Sequence, residues 1–319
     1  MITNCSKTNI SLEDLINLQQ FGQILSLIGS CSLVPLLVTK LIVPKFRLFP
    51  SRMSTLFVLA SLGLNITILT GRSQNWEQLW LGKLNHEAPT QFCIIQGFFF
   101  QFFAAAIIML WLCIALCMYF VLVGKKSFEE VQTHETMMHV FWLGGSLLMT
   151  GIPSLLHNAV PQLGTSYCWL TDDNYFAYQI AFFHSEMFGS LFVGSILLYK
   201  VVRKLAKVSD LGDDDFVSLV RSYVLRNILN VLAFAFVFVV IVVFVINQIL
   251  DRHDIWCVTL PMAYAHSMAV SGSGIVTVGV LSRVEYYKTA IKVLNCCGYN
   301  GEKKEMTHLL DRPVSDDDD

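Results

Sequence analysis

Residues 228–246 read ILNVLAFAFVFVVIVVFVI. One strongly polar side chain, Asn230, interrupts a run that is otherwise rich in Val and Phe. About 20 such residues, wound as a helix, cross the roughly 30 Å of hydrocarbon in a bilayer. This run belongs to a segment spanning about 219–249, and six others qualify: 19–43, 53–72, 93–123, 137–159, 175–200 and 256–282. The second is short, and Pro153 breaks the fourth. Pro and Gly are tolerated in such helices because neighbouring helices satisfy the freed backbone groups. No segment alternates polar and apolar residues at period two, which argues against a β-barrel. Composition agrees: 54% of the 319 residues are apolar and 14% charged, against about 25% charged in soluble domains. The net charge of -2 gives no reason to expect nucleic acid, and nine cysteines are too few for a disulfide-built mini-protein. The fold class is an all-α membrane protein, a seven-transmembrane helix bundle.

Seven spans put the ends on opposite sides, and positive charge decides which is which. With the N-terminus outside, the cytoplasmic segments hold fifteen Lys and Arg, and the outer segments hold four, Lys7, Arg72, Lys83 and Arg252. The expected orientation is N-out, C-in. Asn4 and Asn9 begin glycosylation sequons in the outer tail. Asn65 begins a third, but inside the second span, where it should stay unmodified. The first residues lack a basic start and an apolar core, so the first span should act as its own insertion signal. The chain then divides into an extracellular tail (1–18), the membrane domain (19–282), a juxtamembrane stretch (283–297) and an acidic cytoplasmic tail (298–319). In the third of these Val284, Tyr287, Ile291 and Leu294 recur at helical spacing beside Lys288 and Lys292. That pattern predicts a short amphipathic helix on the inner membrane face.

Topology sorts the cysteines. Cys5, Cys93, Cys168 and Cys257 face the oxidising side, where disulfides persist. Cys296 and Cys297 follow the amphipathic stretch and are palmitoylation candidates. Cys31, Cys113 and Cys117 fall inside spans.

The third span opens Cys93-Ile-Ile-Gln96-Gly97-Phe-Phe-Phe-Gln101-Phe-Phe. This resembles the start of the third helix in the cyclic-AMP-receptor-like (class E) family of G-protein-coupled receptors, which is itself similar to the secretin-like receptors. Cys168-Trp169-Leu170 resembles that family's Cys-Trp pair in the second outer loop. Trp142, Gly144, Gly145 and Gly151-Ile152-Pro153 are similar to its fourth helix, and Gly274 through Leu281 to Glu285 matches the secretin-like seventh helix in spacing. Together with the shared compartment, the resemblance implies a Cys93–Cys168 disulfide, while Cys5 with Cys257 is the weaker second pair. The third span ends Met118-Tyr119-Phe120-Val121, without Asp-Arg-Tyr, and the seventh has no Asn-Pro-x-x-Tyr. By motif this is not a rhodopsin-like receptor. The short N-terminal tail leaves no hormone-capturing domain, so the expected ligand is small or binds the bundle directly.

On the inner side Lys200, Arg203, Lys204 and Lys207 form one helical stripe. With Lys125, Lys126 and Arg221 they are candidates for contacting a heterotrimeric G protein, or anionic lipid of the inner leaflet, which attracts juxtamembrane basic residues by about 1 kcal/mol each. On the outer side Glu186 is the one acid deep in a span, about 16 Å in at 1.5 Å per residue. An acid at that depth is costly unless paired or hydrated, and so marks a functional site. His184, His266, Tyr264, Gln96 and Trp169 complete the ligand-site candidates. His184, two residues from Glu186, should look away from it. Cyclic AMP needs a cation for its phosphate, and only Arg72, Lys83 and Arg252 lie near the mouth. Ser315, before four acids, is a phosphorylation candidate.

The seventh span has no Lys for a retinal Schiff base. No metal or nucleophile constellation and no cofactor motif is visible, so an enzyme is not expected. A transporter or channel for a small solute is the alternative, although no internal repeat supports it. The expected protein is a plasma-membrane receptor that relays an extracellular small-molecule signal to a G protein.

Overall fold

Apolar length sets the elements. In the computed structural model the described residues are 12–44, 51–71, 91–156, 159–161, 168–170, 180–208 and 260–281, with Phe49, Phe236, Val239, Val240 and Val243. The long helices are α1 (Leu12–Ile42), α2 (Ser51–Leu69), α3 (Gln91–Leu122) and α4 (Glu135–Leu156). After them come α5 (Ser185–Val208), α6 (Leu260–Ser271) and α7 (Ser273–Leu281). A single π turn, Ile180–His184, leads into α5. Ile16–Ile42, Ser51–Leu69, Phe92–Leu122 and Ile180–Lys204 are each long and apolar enough to cross a membrane. The 22 residues of α4 reach about 33 Å at 1.5 Å per residue. The sixth span lies outside the described residues, apart from Phe236, Val239, Val240 and Val243, which are helical.

Several expectations shift. The first helix begins at Leu12, before residue 19, with Glu13 and Asp14 in its first turn, where acids complement the helix dipole. Pro153 does not break α4, which runs on to Leu156. Proline in the last turn forfeits one main-chain bond, and little helix remains beyond it to bend. The seventh span is parted at Gly272 into α6 and α7. Between the fourth and fifth spans lies a two-stranded hairpin that the sequence did not suggest. In it β1 (Ala159–Pro161) pairs antiparallel with β2 (Cys168–Leu170), Val160 opposite Trp169.

Helix α3 is the hub: it packs on α2, α4, α5 and both strands. Its apolar face, from Phe100 through Leu110 and Trp111 to Met118, is the spine of the main core. Between helices in lipid, packing supplies the association that the hydrophobic effect supplies in water. Two close approaches show it. A Cβ on Gly194 of α5 would overlap the ring of Trp111, which is buried. The indole fills a hole that only a missing side chain leaves. At the second, Asn65 of α2 wedges between α1 and α7. A Cβ on Gly29 would lie 2.8 Å from Asn65 Oδ1, and one on Gly274 would lie 2.6 Å from Asn65 Nδ2. Asn65 has no exposed surface, and its Nδ2 donates to the Ser61 carbonyl.

Gly194→Ala should therefore force the Trp111 ring aside and cost about 1–3 kcal/mol, the usual price of overpacking. A thermal melt of the purified protein in detergent reads it. Adding Trp111→Phe should recover part of the loss; equal melting of Gly194→Ala and the parent would contradict the fit.

Candidate functional site

Four residues on α3, Cys93, Gln96, Phe100 and Gln101, organise the end of the bundle that carries the hairpin. Cys93 is joined to Cys168 by a disulfide with a Cα–Cα distance of 5.4 Å, which ties β2 to the mouth of the bundle. One turn further in, Gln96 Oε1 accepts from the Cys168 N–H at 3.1 Å, and its Nε2 donates to the Thr67 carbonyl of α2 at 2.9 Å. Gln101 repeats the arrangement deeper. Its Oε1 accepts from Trp169 Nε1 at 2.6 Å, and its Nε2 donates to the Phe182 carbonyl at 3.1 Å, inside the π turn. The Trp169 ring is buried and meets Phe100, Phe183 and His184 at centroid distances of 5.8, 5.1 and 6.1 Å. Gln96 and Trp169, candidate ligand residues by sequence, are thus engaged in holding the hairpin to the bundle.

His184 and Glu186 are different. Both are buried, and both His184 ring nitrogens and both Glu186 carboxyl oxygens lack a hydrogen-bond partner among the described residues. Such groups in a span are the expected mark of a ligand or proton pathway. His266 of α6 is buried. Tyr264 turns toward α1, its ring 5.3 Å from Phe21. The structure thus brings Trp169 and His184 together and sets Tyr264 against the first helix. Arg72, Lys83, Arg252, Cys5 and Cys257 lie outside the described residues, as do Asn4, Asn9, Cys296, Cys297 and Ser315.

At its opposite end α3 closes at Leu122, and Lys125 takes a left-handed φ of 54°. Ser127 then caps the short helix Phe128–Gln132 through a capping box with Glu130. Lys125 and Lys126 are exposed, and Lys126 Nζ lies 5.4 Å from the Phe120 ring. Lys200 Nζ lies 5.7 Å from the Tyr119 ring, which links α5 to the end of α3. Arg203 is exposed and Lys204 half-buried. The Lys207 side chain and Arg221 lie outside the described residues.

Two inner features escaped the sequence reading. Arg52 of α2 pairs with Glu135 of α4 at 2.9 Å, with His139 Nε2 3.5 Å from the same carboxylate. Trp142 Nε1 in turn donates to His139 Nδ1 at 3.0 Å. Lys40, read simply as part of the first span, is 2% exposed and donates to Ser54 Oγ at 2.7 Å. A lone cation a few residues from a span's end, facing a serine-rich start of the next, was the available signal. Among the described residues no group of three His, Cys, Asp or Glu is placed to hold a metal.

The family model described as "Slime mold cyclic AMP receptor" matches residues 6–296. The chain belongs to that family. This cyclic-AMP-receptor-family protein is a G-protein-coupled receptor, a signal transducer and not an enzyme. No individually curated protein matches it. Among solved structures, squid rhodopsin matches at a TM-score of 0.63 and 13% identity, over 94% of this chain and 92% of that one. The receptor therefore shares the rhodopsin-type bundle while lacking Asp-Arg-Tyr and Asn-Pro-x-x-Tyr. It is a multi-pass membrane protein, and its Cys93–Cys168 bond is the one the family resemblance implied.

Cleaving that link by Cys168→Ser should lower receptor stability by about 2–4 kcal/mol. Non-reducing peptide mapping should recover Cys93 and Cys168 in one linked product. Recovery of both as free thiols from freshly purified receptor would contradict the assignment.

Proposed function

We propose that this receptor binds a small extracellular ligand in the outer half of its bundle and relays the event to a heterotrimeric G protein at its inner face, in the plasma membrane with the N-terminus outside. The carrying observation is a pair of buried side chains, Glu186 and, against Trp169 of the hairpin, His184, that find no hydrogen-bond partner among the described residues. A polar ligand that satisfied them in one bundle state and not in another would shift the equilibrium between the two by its differential affinity. The name of the family makes cyclic AMP the first probe. The cations its phosphate would need are Arg72, Lys83 and Arg252, together with donors that His184 and His266 supply when they carry a proton. Lys125, Lys126, Lys200, Arg203, Lys204, Lys207 and Arg221 are the proposed G-protein contacts. The amphipathic stretch with palmitoylated Cys296 and Cys297 would anchor the inner side to anionic lipid. Glycans at Asn4 and Asn9 and phosphate at Ser315 belong to the same reading.

The test is nucleotide exchange on host heterotrimers, with cyclic AMP as agonist. The purified receptor should form a nucleotide-free complex that GTP dissolves and that Ala at Arg203, Lys204 and Lys207 weakens. Glu186→Gln should move the half-maximal agonist concentration about tenfold, equivalent to about 1.4 kcal/mol, with surface expression unchanged. A normal dose–response in Glu186→Gln would take Glu186 out of the ligand site.

A further inference from the structure

The fifth span enters the bundle through a π turn, and the turn is held from outside itself. In a π turn the chain carries one residue more than the α path needs. Annealing that turn to α would rotate the two sides against each other by about 100° and shift them about 1.5 Å along the axis. The turn and the helix after it are both held. Within the turn Phe183 packs on Trp169. Beyond it Gly194 receives Trp111, and Lys200 lies against Tyr119. Two described side chains donate into the turn: that of Ser185, next along the chain, to the Ala181 carbonyl, and, from another helix, that of Gln101 to the Phe182 carbonyl. The same carboxamide accepts from Trp169 on the hairpin, and Gln101 is fully buried.

We propose that Gln101 is a positioning residue that sets the register of the fifth span. While its Nε2 holds the Phe182 carbonyl, the span keeps its extra residue and presents His184 and Glu186 as the structure shows them. A ligand that draws the Trp169 indole or the Gln101 carboxamide to itself releases the carbonyl, lets the turn anneal, and rotates α5 with its inner basic stripe. The ligand step rests on the function proposed above; the register role does not.

Hydrogen exchange over residues 180–190 of the full-length receptor in nanodiscs tests the register role without ligand or G protein. Gln101→Leu removes both bonds at nearly constant volume and should speed exchange there roughly tenfold, leaving α1 and α2 unchanged. Trp169→Phe leaves the Phe182 bond in place and should change it less than about twofold. Deleting the exposed Ala181 removes the extra residue, so Gln101→Leu should have no further effect in that background. Unchanged exchange in Gln101→Leu overturns the proposal, as does an equal effect of Trp169→Phe. So does a Gln101→Leu effect that is the same with and without Ala181. If the deletion does not fold, the comparison of the two point variants still decides. Should the register role hold while Glu186→Gln signals normally, the ligand reading fails alone.

Discussion

A hydrocarbon solvent supplies no hydrogen-bond partners, so a polar group inside a span must find one in the protein. Gln96 and Gln101 meet that demand in a way that builds the outer half of the receptor. Each carboxamide has a donor end and an acceptor end, and each spends them on different elements: the hairpin with α2 in one case, the hairpin with the π turn in the other. The hairpin is therefore held to the bundle by two carboxamides as well as by a disulfide. The aromatic cluster around Trp169 packs against a frame already fixed by hydrogen bonds. His184, against Trp169, and Glu186, two residues on, stand out because both are buried and neither finds a hydrogen-bond partner among the described residues.

The opposite end of the bundle follows a different rule. There charged side chains reach across to neighbouring helices, and the buried Lys40 donates to Ser54 Oγ. Arg52 with Glu135 joins the second and fourth spans, and Lys200 on Tyr119 joins the third and fifth. Exposed ion pairs of this kind contribute little stability each. Their value lies in fixing the relative position of the helices at that end. Two of the basic side chains singled out from sequence, Lys126 and Lys200, already lie over aromatic rings of α3, so any partner that recruits them must exchange one contact for another.

The spans were legible because length and apolarity are local properties, and the Cys93–Cys168 link because compartment and family resemblance agree on it. What escaped depends on residues far apart in the chain. Ile180-Ala-Phe-Phe-His184 reads as any apolar helical turn, and its π geometry shows only once Gln101 is beside it. The strands of the hairpin are three residues each, too short to display a period of two. Gly194 looks like a helix weakness until Trp111 occupies it. Lys40 was absorbed into a span because a side chain long enough to snorkel gives no sign of where its amine ends up.

The wedge of Asn65 between Gly29 and Gly274 has a consequence in time. Membrane helices enter the bilayer in chain order, and Gly274 is made 209 residues after Asn65. At about 5–20 residues per second that is a wait of roughly 10–40 s. Throughout it the first two helices lie in lipid with one wall of the Asn65 site missing and a polar carboxamide beside the gap. The receptor completes its oldest contact with its newest helix, so the quality of the finished bundle is decided at the end of synthesis.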